Sequence, residues 1–200
     1  MTIPLKKNLV IQQGKTFNLP VRWEIEPILY KPITGITQAA PAIVSCPGHL
    51  IPDGWRVAVV SVAGMTQINA RNSPPRDSDY VIATVRDADS IELNTVNSSH
   101  YKPYQSGGYL QCYTPQELGN YTARMSIKDR VGGTELLSLT TEDGRIILDN
   151  TNKTITLMID AEDTALMVKN GVYDLELLSA GGVVTALLYG SVTVTPEVTT

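Results

Sequence analysis

Two histidines and two cysteines provide the side chains of this sequence that best suit catalysis or metal binding. A hydrolase needs a nucleophile, a base and a residue that orients the base. His49 and His100 are the available histidine bases, and no Gly-x-Ser-x-Gly elbow is present. Single histidines near turns usually lie at the surface or cap a turn. We therefore predict that the chain is not an enzyme and has no catalytic residues.

A zinc site is the sharper alternative for these residues. Cys46 and His49 have a usable ligand spacing, and with His100 and Cys112 they would supply two thiolates and two imidazoles to tetrahedral zinc. Against this, Pro47-Gly48 replaces a true zinc knuckle, and eleven residues separate His100 from Cys112. Two cysteines also do not make a disulfide framework. We predict reduced thiols without bound metal.

Other polar motifs favour structural roles. Asp77-x-Asp79 and Asp87-x-Asp89 do not continue into a loop with further acidic ligands, as calcium binding would require, so we predict that they form turns. The sequence contains no phosphate-binding loop and no dinucleotide fingerprint, and we expect no cofactor. Three glycosylation sequons would have no meaning in a bacterial cytoplasm; they begin at Asn97, Asn120 and Asn152.

The overall composition limits the classes of partner. With 200 residues and 42% hydrophobic content, the chain can form one ordinary domain or two small ones. Its net charge of −4 gives no basis for nucleic-acid binding, which needs a basic patch. No apolar run approaches the ~18 residues that span a bilayer. No apolar segment follows Lys6-Lys7, so we expect no signal peptide and folding in a cytoplasm.

Alternation of apolar and polar residues predicts the main strands. It runs from Tyr121 to Lys128 and recurs from Thr154 to Ile159. Because successive side chains of a strand point to opposite faces, this pattern predicts half-buried sheets. Phe17–Trp23 also alternates, and Pro20 within it indicates an edge strand. Further strands bring the total to about seven, as in a β-sandwich; they are predicted at 134–139, 145–148, 173–177 and 183–194.

Two shorter signals punctuate this regular part of the chain. The dipeptide Asp143-Gly144 favours a tight hairpin turn between the strands on either side of it. Residues 160–166 predict one helical turn, in which Asp160 is the expected N-cap and further acidic residues occupy the first turn.

A different composition from residue 36 to residue 114 predicts an inserted domain. Prolines are frequent there, and short strands are expected among them at 56–62, 80–86, 90–94 and 108–113. The polar, proline-stiffened loop from Asn69 to Ser78 is expected to project into solvent. The sequence thus predicts a discontinuous domain of residues 1–35 and 115–200, with an inserted domain of residues 36–114.

The regular segments also carry a family resemblance. They are YTARMSIKDR (121–130), GGTELLSLTTEDG (132–144), GVYDLEL (171–177) and GVVTALLYGSVTVTPEV (182–198). These resemble an immunoglobulin-like module of bacteriophage tail proteins, and IQQGKTFNL (11–19) is similar to its opening strands. The module is similar to the N-terminal, particle-attaching part of phage baseplate upper proteins. It covers about residues 1–34 and 115–200, which implies an immunoglobulin-like β-sandwich.

The inserted segment resembles a second family. GHLIPDGWRV (48–57), VAGMTQIN (62–69) and VRDADSIEL (85–93) are similar to a small β-barrel module of phage tail proteins. That module is named for the first catalytic-cysteine half-domain of ubiquitin-activating enzymes. The chain departs from it at Arg71–Asp79, where NSPPRDS lengthens a usually short link. Nothing in the chain resembles the adenylating part of those enzymes, so the name implies no activity.

Together the resemblances imply a structural protein of a phage virion, in the tail, neck or baseplate, made in the bacterial host cytoplasm. Expected partners are other virion proteins, including fibres or spikes, and further copies in a ring, but neither nucleic acid nor membrane. The sandwich would dock on a ring of the particle while the insert projects or locks a neighbour. Two alternatives stay open. One is a capsid decoration protein, and the other is a receptor- or carbohydrate-binding module that stacks its ligand on Trp55, Tyr101, Tyr104 and Tyr109.

Overall fold

The computed structural model describes residues 4–197 and shows an all-β protein, as the sequence predicts. The described chain divides into two compact units: unit 1 contains residues 4–23 and 116–197, and unit 2 contains residues 24–115. Within the described residues, no helix has the length and apolar content needed to cross a membrane.

Strands make up most of the chain, and the connection between Ala63 and Val81 is the longest in the described residues. In chain order they are β1 (Leu5–Lys6), β2 (Leu9–Gln12), β3 (Phe17–Val21), β4 (Glu24–Pro32), β5 (Gly35–Ile36), β6 (Ala42–Ser45), β7 (Arg56–Ala63), β8 (Val81–Asp87), β9 (Ser90–Leu93), β10 (Ser106–Pro115), β11 (Tyr121–Lys128), β12 (Glu135–Thr140), β13 (Ile146–Asp149), β14 (Thr154–Ile159), β15 (Gly171–Ser179) and β16 (Val184–Thr195). A short helix, α1 (Ala161–Leu166), lies between β14 and β15.

Two sheets give unit 1 a sandwich-like character. The larger sheet has the order β1-β16-β15-β11-β12, and β2 also pairs with β16. The smaller sheet has the order β13-β14-β3. β1 and β2 run parallel to β16, whereas the other pairs in both sheets are antiparallel.

Strict alternation decides which side chains of unit 1 are buried. On β11 the buried residues are Ala123, Met125 and Ile127, while Thr122 and Arg124 between them are exposed. β14 repeats the pattern in the other sheet, because each second side chain turns to the same face. Its fully buried residues are Ile155, Leu157 and Ile159. The two runs that showed the clearest period in the sequence therefore form the centre of this unit's core.

The N-terminal strand β3 pairs with β14, although more than 130 residues separate them. Phe17 lies opposite Ile159, and Val21 lies opposite Ile155. This confirms the prediction that the N-terminal segment joins the same unit as the C-terminal strands. Among the described strands β3 pairs only with β14, so it is the edge strand that Pro20 predicted.

Two local predictions for unit 1 need correction. Asp143 does not form a hairpin, because β12 and β13 on either side of it belong to different sheets. Its carboxylate instead accepts hydrogen bonds from the N–H groups of Thr140 (3.1 Å) and Arg145 (2.9 Å), which carries the chain from one sheet to the other. α1 begins after Asp160 as predicted, but the Asp160 side chain makes no capping hydrogen bond.

In unit 2 the first and last strands of the sheet are connected by a two-residue segment of the chain. The strand order is β4-β10-β7-β8-β9-β6-β5, and only Ile33 and Thr34 separate the two end strands in the chain. The N–H of Ile33 donates to the carbonyl of Gly108 (3.0 Å), and that of Thr34 donates to Ser45 (2.9 Å). Hydrogen bonding therefore continues from β10 through this segment to β6. The interior is packed around the fully buried Trp55.

The structure places residues 24–35 in unit 2, whereas the sequence analysis assigned them to the discontinuous domain. The reason is β4, which pairs with β10 and was not predicted because it contains Pro27. The register passes from Ile28 opposite Tyr113 to Ile25 opposite Thr114. Pro27 therefore lies in a bulge, where no N–H is required to donate a hydrogen bond to the neighbouring strand. β6 was also missed, because it has only four residues and follows a proline.

The two points at which the chain leaves and re-enters unit 1 lie side by side. The N–H of Gln116 donates to the carbonyl oxygen of Trp23 at 3.0 Å. The Trp23 ring also packs edge-on against Tyr121, with 5.4 Å between the ring centroids. Unit 1 is therefore continuous at the position where 92 residues, 24–115, leave its sequence.

Candidate functional site

The residues of the zinc hypothesis are not brought together as a ligand set. Cys46 and Cys112 are free thiols in the core of unit 2, and burial raises the pKa of each to about 11. His49 is buried with both ring nitrogens used: Nδ1 accepts from the N–H of Ile51 (2.9 Å), and Nε2 donates to the carbonyl of Asp87 (3.0 Å). His100 is exposed.

The wider chain agrees with this local picture. In the part that the structure describes, no three residues of the types His, Cys, Asp and Glu are grouped so that they could hold a metal ion.

The two acidic pairs form turns, as predicted. Asp79 accepts hydrogen bonds from the N–H groups of Arg76 (2.8 Å) and Arg71 (3.2 Å) and from Asn72 Nδ2 (2.9 Å). These bonds, that from Arg76 above all, lower the pKa of Asp79. Asp87 accepts from the N–H of Asp89 (2.9 Å), which likewise lowers its pKa. Both carboxylates are engaged with their own loops.

Three of the four aromatic residues proposed for ligand stacking pack in or against the core of unit 2 and do not present a free ring face. Trp55 is fully buried, and its Nε1 donates to the carbonyl of Tyr113 at 3.2 Å. Tyr101 and Tyr104 pack against the core of unit 2, and Tyr104 Oη lies 3.0 Å from the carbonyl of Ile33. Their positions near predicted turns did not reveal this packing. Tyr109 alone of the four has the exposure that stacking needs.

An exposed pair of tyrosines marks a site that sequence reasoning missed. Tyr109 on β10 is 43% exposed, and Tyr30 on β4 is 54% exposed. Their rings are nearly perpendicular, at 89°, with centroids 6.2 Å apart. Tyr30 was missed because the prolines around it concealed β4. Its position on β4, opposite Gln111 of β10, could be inferred only after the pairing of those strands was known.

Beside this pair, the outer face of unit 2 forms a groove of about 450 Å³, the tyrosine groove. Leu110 and Cys112 point into the core, so Tyr109 and Gln111 face outward from β10. The groove is lined by Tyr30 from β4, Val60 and Ser61 from β7, Gln111 from β10, and the loop residues 69, 70 and 72–75. Its volume lies in the range of ligand-binding pockets.

The loop that lines the groove is tied to the sheet, although the sequence led us to expect it to project into solvent. The side-chain amide of Asn69 pairs with both backbone groups of Val62, donating to O (3.0 Å) and accepting from N–H (2.8 Å). The N–H of Ala70 donates to the carbonyl of Val59 at 2.7 Å. These bonds turn the loop back along β7. Several of its residues are still exposed, but they form a wall of the groove.

Arg56 fixes the far end of the same loop. Its guanidinium makes a bidentate pair with Glu24, with Nε 2.7 Å from Oε1 and Nη2 2.6 Å from Oε2. Nη1 also donates to Asp77 Oδ1 in the loop at 3.1 Å. These hydrogen bonds raise the pKa of Arg56. The guanidinium carbon lies 5.0 Å from the ring centroid of Tyr80 and 5.7 Å from that of Tyr113.

Unit 1 has a groove of a different kind, of about 600 Å³, here termed the charged groove. It lies where β1, β11, β15 and β16 run alongside each other, and it mixes both signs of charge. Its ionic and aromatic lining includes Lys6, Lys128, Arg130, Asp174, Tyr173 and Tyr189. Tyr173 is buried at its base and donates from Oη to the carbonyl of Lys7 at 2.8 Å. Burial raises the pKa of Tyr173 to about 12.

A second surface of unit 1 exposes apolar side chains. Leu166 and Val168, at the end of α1 and just after it, are 79% and 76% exposed. Their segment is joined to the end of β2 by Gln13, whose Nε2 donates to the carbonyl of Met167 at 2.7 Å. Val10 on β2 is also exposed. We term Leu166 and Val168 the apolar corner.

Comparison with protein-family models and with curated proteins finds no match for this chain.

Proposed function

We propose that the protein is a structural component of a bacteriophage virion, in the tail, neck or baseplate, and that it acts by attaching to other virion proteins. Unit 1 would be an immunoglobulin-like sandwich and unit 2 an inserted small β-barrel. The observation that carries the proposal is the strand order of unit 1. It supports the sandwich to which the residues from Tyr121 onward are similar.

The strand order of unit 1 is compatible with an immunoglobulin pattern that lacks strand A in the smaller sheet. Immunoglobulin sandwiches hold strands B, E and D in one sheet and strands C, F and G in the other, and variable-type domains add C′ beside C. Here β3, β14 and β13 take the places of B, E and D. β11, β15 and β16 take those of C, F and G, and β12 takes that of C′. In this scheme unit 2 is inserted between strands B and C.

For unit 2, the connected end strands of the sheet support a small barrel. Closing a sheet removes its exposed edges, and continuous hydrogen bonding from β10 through Ile33 and Thr34 to β6 is the behaviour expected of closure. The resemblance of residues 48–57, 62–69 and 85–93 to the barrel module of phage tail proteins points the same way.

Attachment would use the apolar corner of unit 1. Exposed apolar side chains that form one surface mark protein–protein contacts more often than isolated ones do. Burying Leu166 and Val168 against a partner would contribute about 1.5–3 kcal/mol for each side chain. The partner is another virion protein or a further copy in a ring, and neither nucleic acid nor a membrane is required. The protein would be made in the host cytoplasm and then incorporated.

Purified particles test the proposal. Mass spectrometry of particles from the phage or prophage that encodes the chain should detect its peptides, and electron cryomicroscopy should place the two units in the tail, neck or baseplate density. Intact particles without the chain would contradict a virion role. Density on the capsid shell would instead support the decoration-protein alternative.

A paired variant tests the attaching surface. Leu166→Glu with Val168→Glu should reduce incorporation into particles. Val183→Glu with Val184→Glu serves as the control, because Val183 lies just before β16, Val184 is its first residue, and both valines are exposed. All four positions are exposed, so both variants should fold with unchanged melting temperatures. Equal incorporation of the two variants would show that attachment uses another surface.

A further inference from the structure

The tyrosine groove has the lining of a site for an uncharged ligand. None of the described residues that line it carries a charge, and its polar groups are carboxamides and hydroxyls from Ser61, Asn69, Asn72, Ser73 and Gln111. Arg71 and Arg76 adjoin lining residues in the loop but do not line the groove themselves. The Asp79 carboxylate is already bonded to Asn72 and to the loop backbone. A charged ligand would find no counter-charge within the groove.

Two side-chain oxygens in the groove are free to accept hydrogen bonds. Gln111 is 97% buried, since only 3% of it is exposed, and its Nε2 donates to Tyr80 Oη at 2.7 Å. Within residues 4–197, no group donates to its Oε1. Asn72 likewise donates from Nδ2 to Asp79 and leaves its Oδ1 without a donor in the described chain. Neither oxygen is a buried atom left without a partner, so both are accessible to solvent and can accept from a ligand that brings donors.

Apolar surface stands beside these acceptors. Tyr30, whose side chain is exposed, lines the groove together with Pro74 and Pro75. A tyrosine ring offers a flat apolar face together with a polar tip. The groove therefore combines flat apolar walls with acceptors at its floor.

The groove is also preorganised. Asn69 and Ala70 bind the loop to β7, and Asp79 binds the backbone of Arg71 and Arg76. Ser61, which lines the groove, has a φ of 60°, in the left-handed region that costs a non-glycine residue free energy. Such conformations concentrate at functional sites. The entropy cost of ordering this site on ligand binding should therefore be small.

We propose that the tyrosine groove binds a neutral saccharide. A sugar ring has an apolar C–H face that can lie on Tyr30 and a rim of hydroxyls that can donate to Gln111 Oε1 and Asn72 Oδ1. A proline-rich peptide would also suit apolar walls, but proline has no N–H and would leave these acceptors unsatisfied. The lengthened link at 72–78 builds this groove, so the site belongs to this chain rather than to the barrel module it resembles. The proposal does not depend on the virion role.

A glycan array tests the proposal. The full chain is applied to immobilised neutral and acidic oligosaccharides, and the neutral oligosaccharide with the highest signal is then titrated by calorimetry. We expect selective binding of neutral oligosaccharides. Tyr30→Ala should weaken that binding by about tenfold, as expected for loss of one aromatic contact, and Tyr109→Ala should weaken it less.

Tyr189→Ala is the matched control. Tyr189 is 44% exposed, close to Tyr109, but it lines the charged groove of unit 1, so its removal should leave saccharide affinity unchanged. All three tyrosines are exposed, and unchanged circular dichroism would verify folding. Absence of neutral binders, or affinity that survives both Tyr30→Ala and Tyr109→Ala, would overturn the proposal. So would decaproline binding that is lost in Tyr30→Ala, which would assign the groove to a peptide.

Discussion

The two units present their outer sheet faces to solvent in different ways. In unit 1, the outer face of β11 carries single charged and hydroxyl side chains, and Arg124 there pairs with Glu176 at 2.7 Å while 60% of its side chain stays exposed. In unit 2, the outer face of β10 is covered in part by a second layer, in which Arg56 binds two carboxylates and faces two tyrosine rings. A sheet face that is only solvated requires no more of the sequence than alternating apolar and polar residues. A sheet face that forms a groove also requires particular side chains that bind one another.

The comparison predicts that each unit has its own core and its own unfolding transition. Leu157 in unit 1 and Leu93 in unit 2 are both fully buried, so they form a matched pair. Leu157→Ala and Leu93→Ala should each lower the stability of their own unit by about 2–5 kcal/mol, because each leaves a cavity in a separate core.

Tryptophan fluorescence reports the two transitions separately, because Trp23 lies in unit 1 and Trp55 in unit 2. In a Trp23→Phe background the signal follows unit 2, and Leu157→Ala should leave it unchanged. If Leu157→Ala shifted this signal as much as Leu93→Ala does, the units would unfold as one and the comparison would fail.

Alkaline pH should separate the units next. Burial raises the pKa of Cys46 and Cys112 in unit 2 from 9.0 to about 11, and that of Tyr173 in unit 1 from 10.0 to about 12. A folded pKa above the unfolded one means that the stability is complete below the unfolded pKa and is lost as the pH rises through the folded one. Unit 2 should therefore weaken between pH 9 and 11, before unit 1 weakens between pH 10 and 12.

Denaturant unfolding at pH 8, 9, 10 and 11 measures this order. We expect unit 2 to lose on the order of 2 kcal/mol for each of the two thiols by pH 11. The double variant Cys46→Ala/Cys112→Ala should be less stable at pH 8 but should lose less of its stability between pH 9 and 11. An equal loss in the variant would show that other groups cause the alkaline transition.

The sequence predicts unit 1 better than unit 2, because the strands of unit 1 follow from alternation and those of unit 2 depend on specific contacts. Alternation at Tyr121–Lys128 and Thr154–Ile159 depends on burial alone, and both strands were predicted correctly. The prediction that Phe17–Trp23 joins the same unit is also correct, since Phe17–Val21 pairs with Thr154–Ile159. The strand β4 could not be predicted, because Pro27 is tolerated only through a bulge that β10 provides. Asp143-Gly144 has the local chemistry of a hairpin, but long-range pairing decides which sheet the next strand joins.

The candidate site was harder to predict than the fold. Trp55 has the residue type of a stacking platform, and only tertiary packing shows that it fills the core of unit 2. Gln111 and Tyr30 lie more than 80 residues apart in sequence and meet across one strand pair. No local pattern marks either residue, so the tyrosine groove depends on pairing information that a single sequence does not contain.

The outer layer of unit 2 should contribute more stability than an ordinary surface ion pair. Arg56→Gln should cost about 2 kcal/mol, since it removes a bidentate charge-assisted pair with the largely buried Glu24 and frees the loop at Asp77. Arg124→Gln is the control, and its cost should stay below about 1 kcal/mol because that pair is well exposed. Thermal unfolding of both variants gives the two costs, and similar values would remove the distinction between the outer faces.

The smallest effect is expected from the largest change, removal of the whole of unit 2. Trp23 and Gln116 are already joined by a backbone hydrogen bond, and Glu24 lies opposite Pro115 in the strand pair β4–β10. Folded unit 2 keeps its two ends close together through the pairing of Glu24 with Pro115. For the loop-closure entropy of unit 1, it is therefore equivalent to a short loop. Loop-closure entropy then changes little when residues 24–115 are replaced by Gly-Gly. The melting temperature of unit 1, followed by Trp23 fluorescence, should move by only a few degrees.

A second deletion sharpens this test. Removing residues 37–113 keeps β4 but takes away most of β10, its pairing partner, so the exposed backbone of Glu24–Pro32 should make that product prone to aggregate. The two deletions differ in where they cut, and only the first follows the boundary of unit 2. If the 24–115 deletion unfolded while the 37–113 deletion stayed folded and monomeric, residues 24–35 would belong to the core of unit 1. The division at Trp23 would then be wrong.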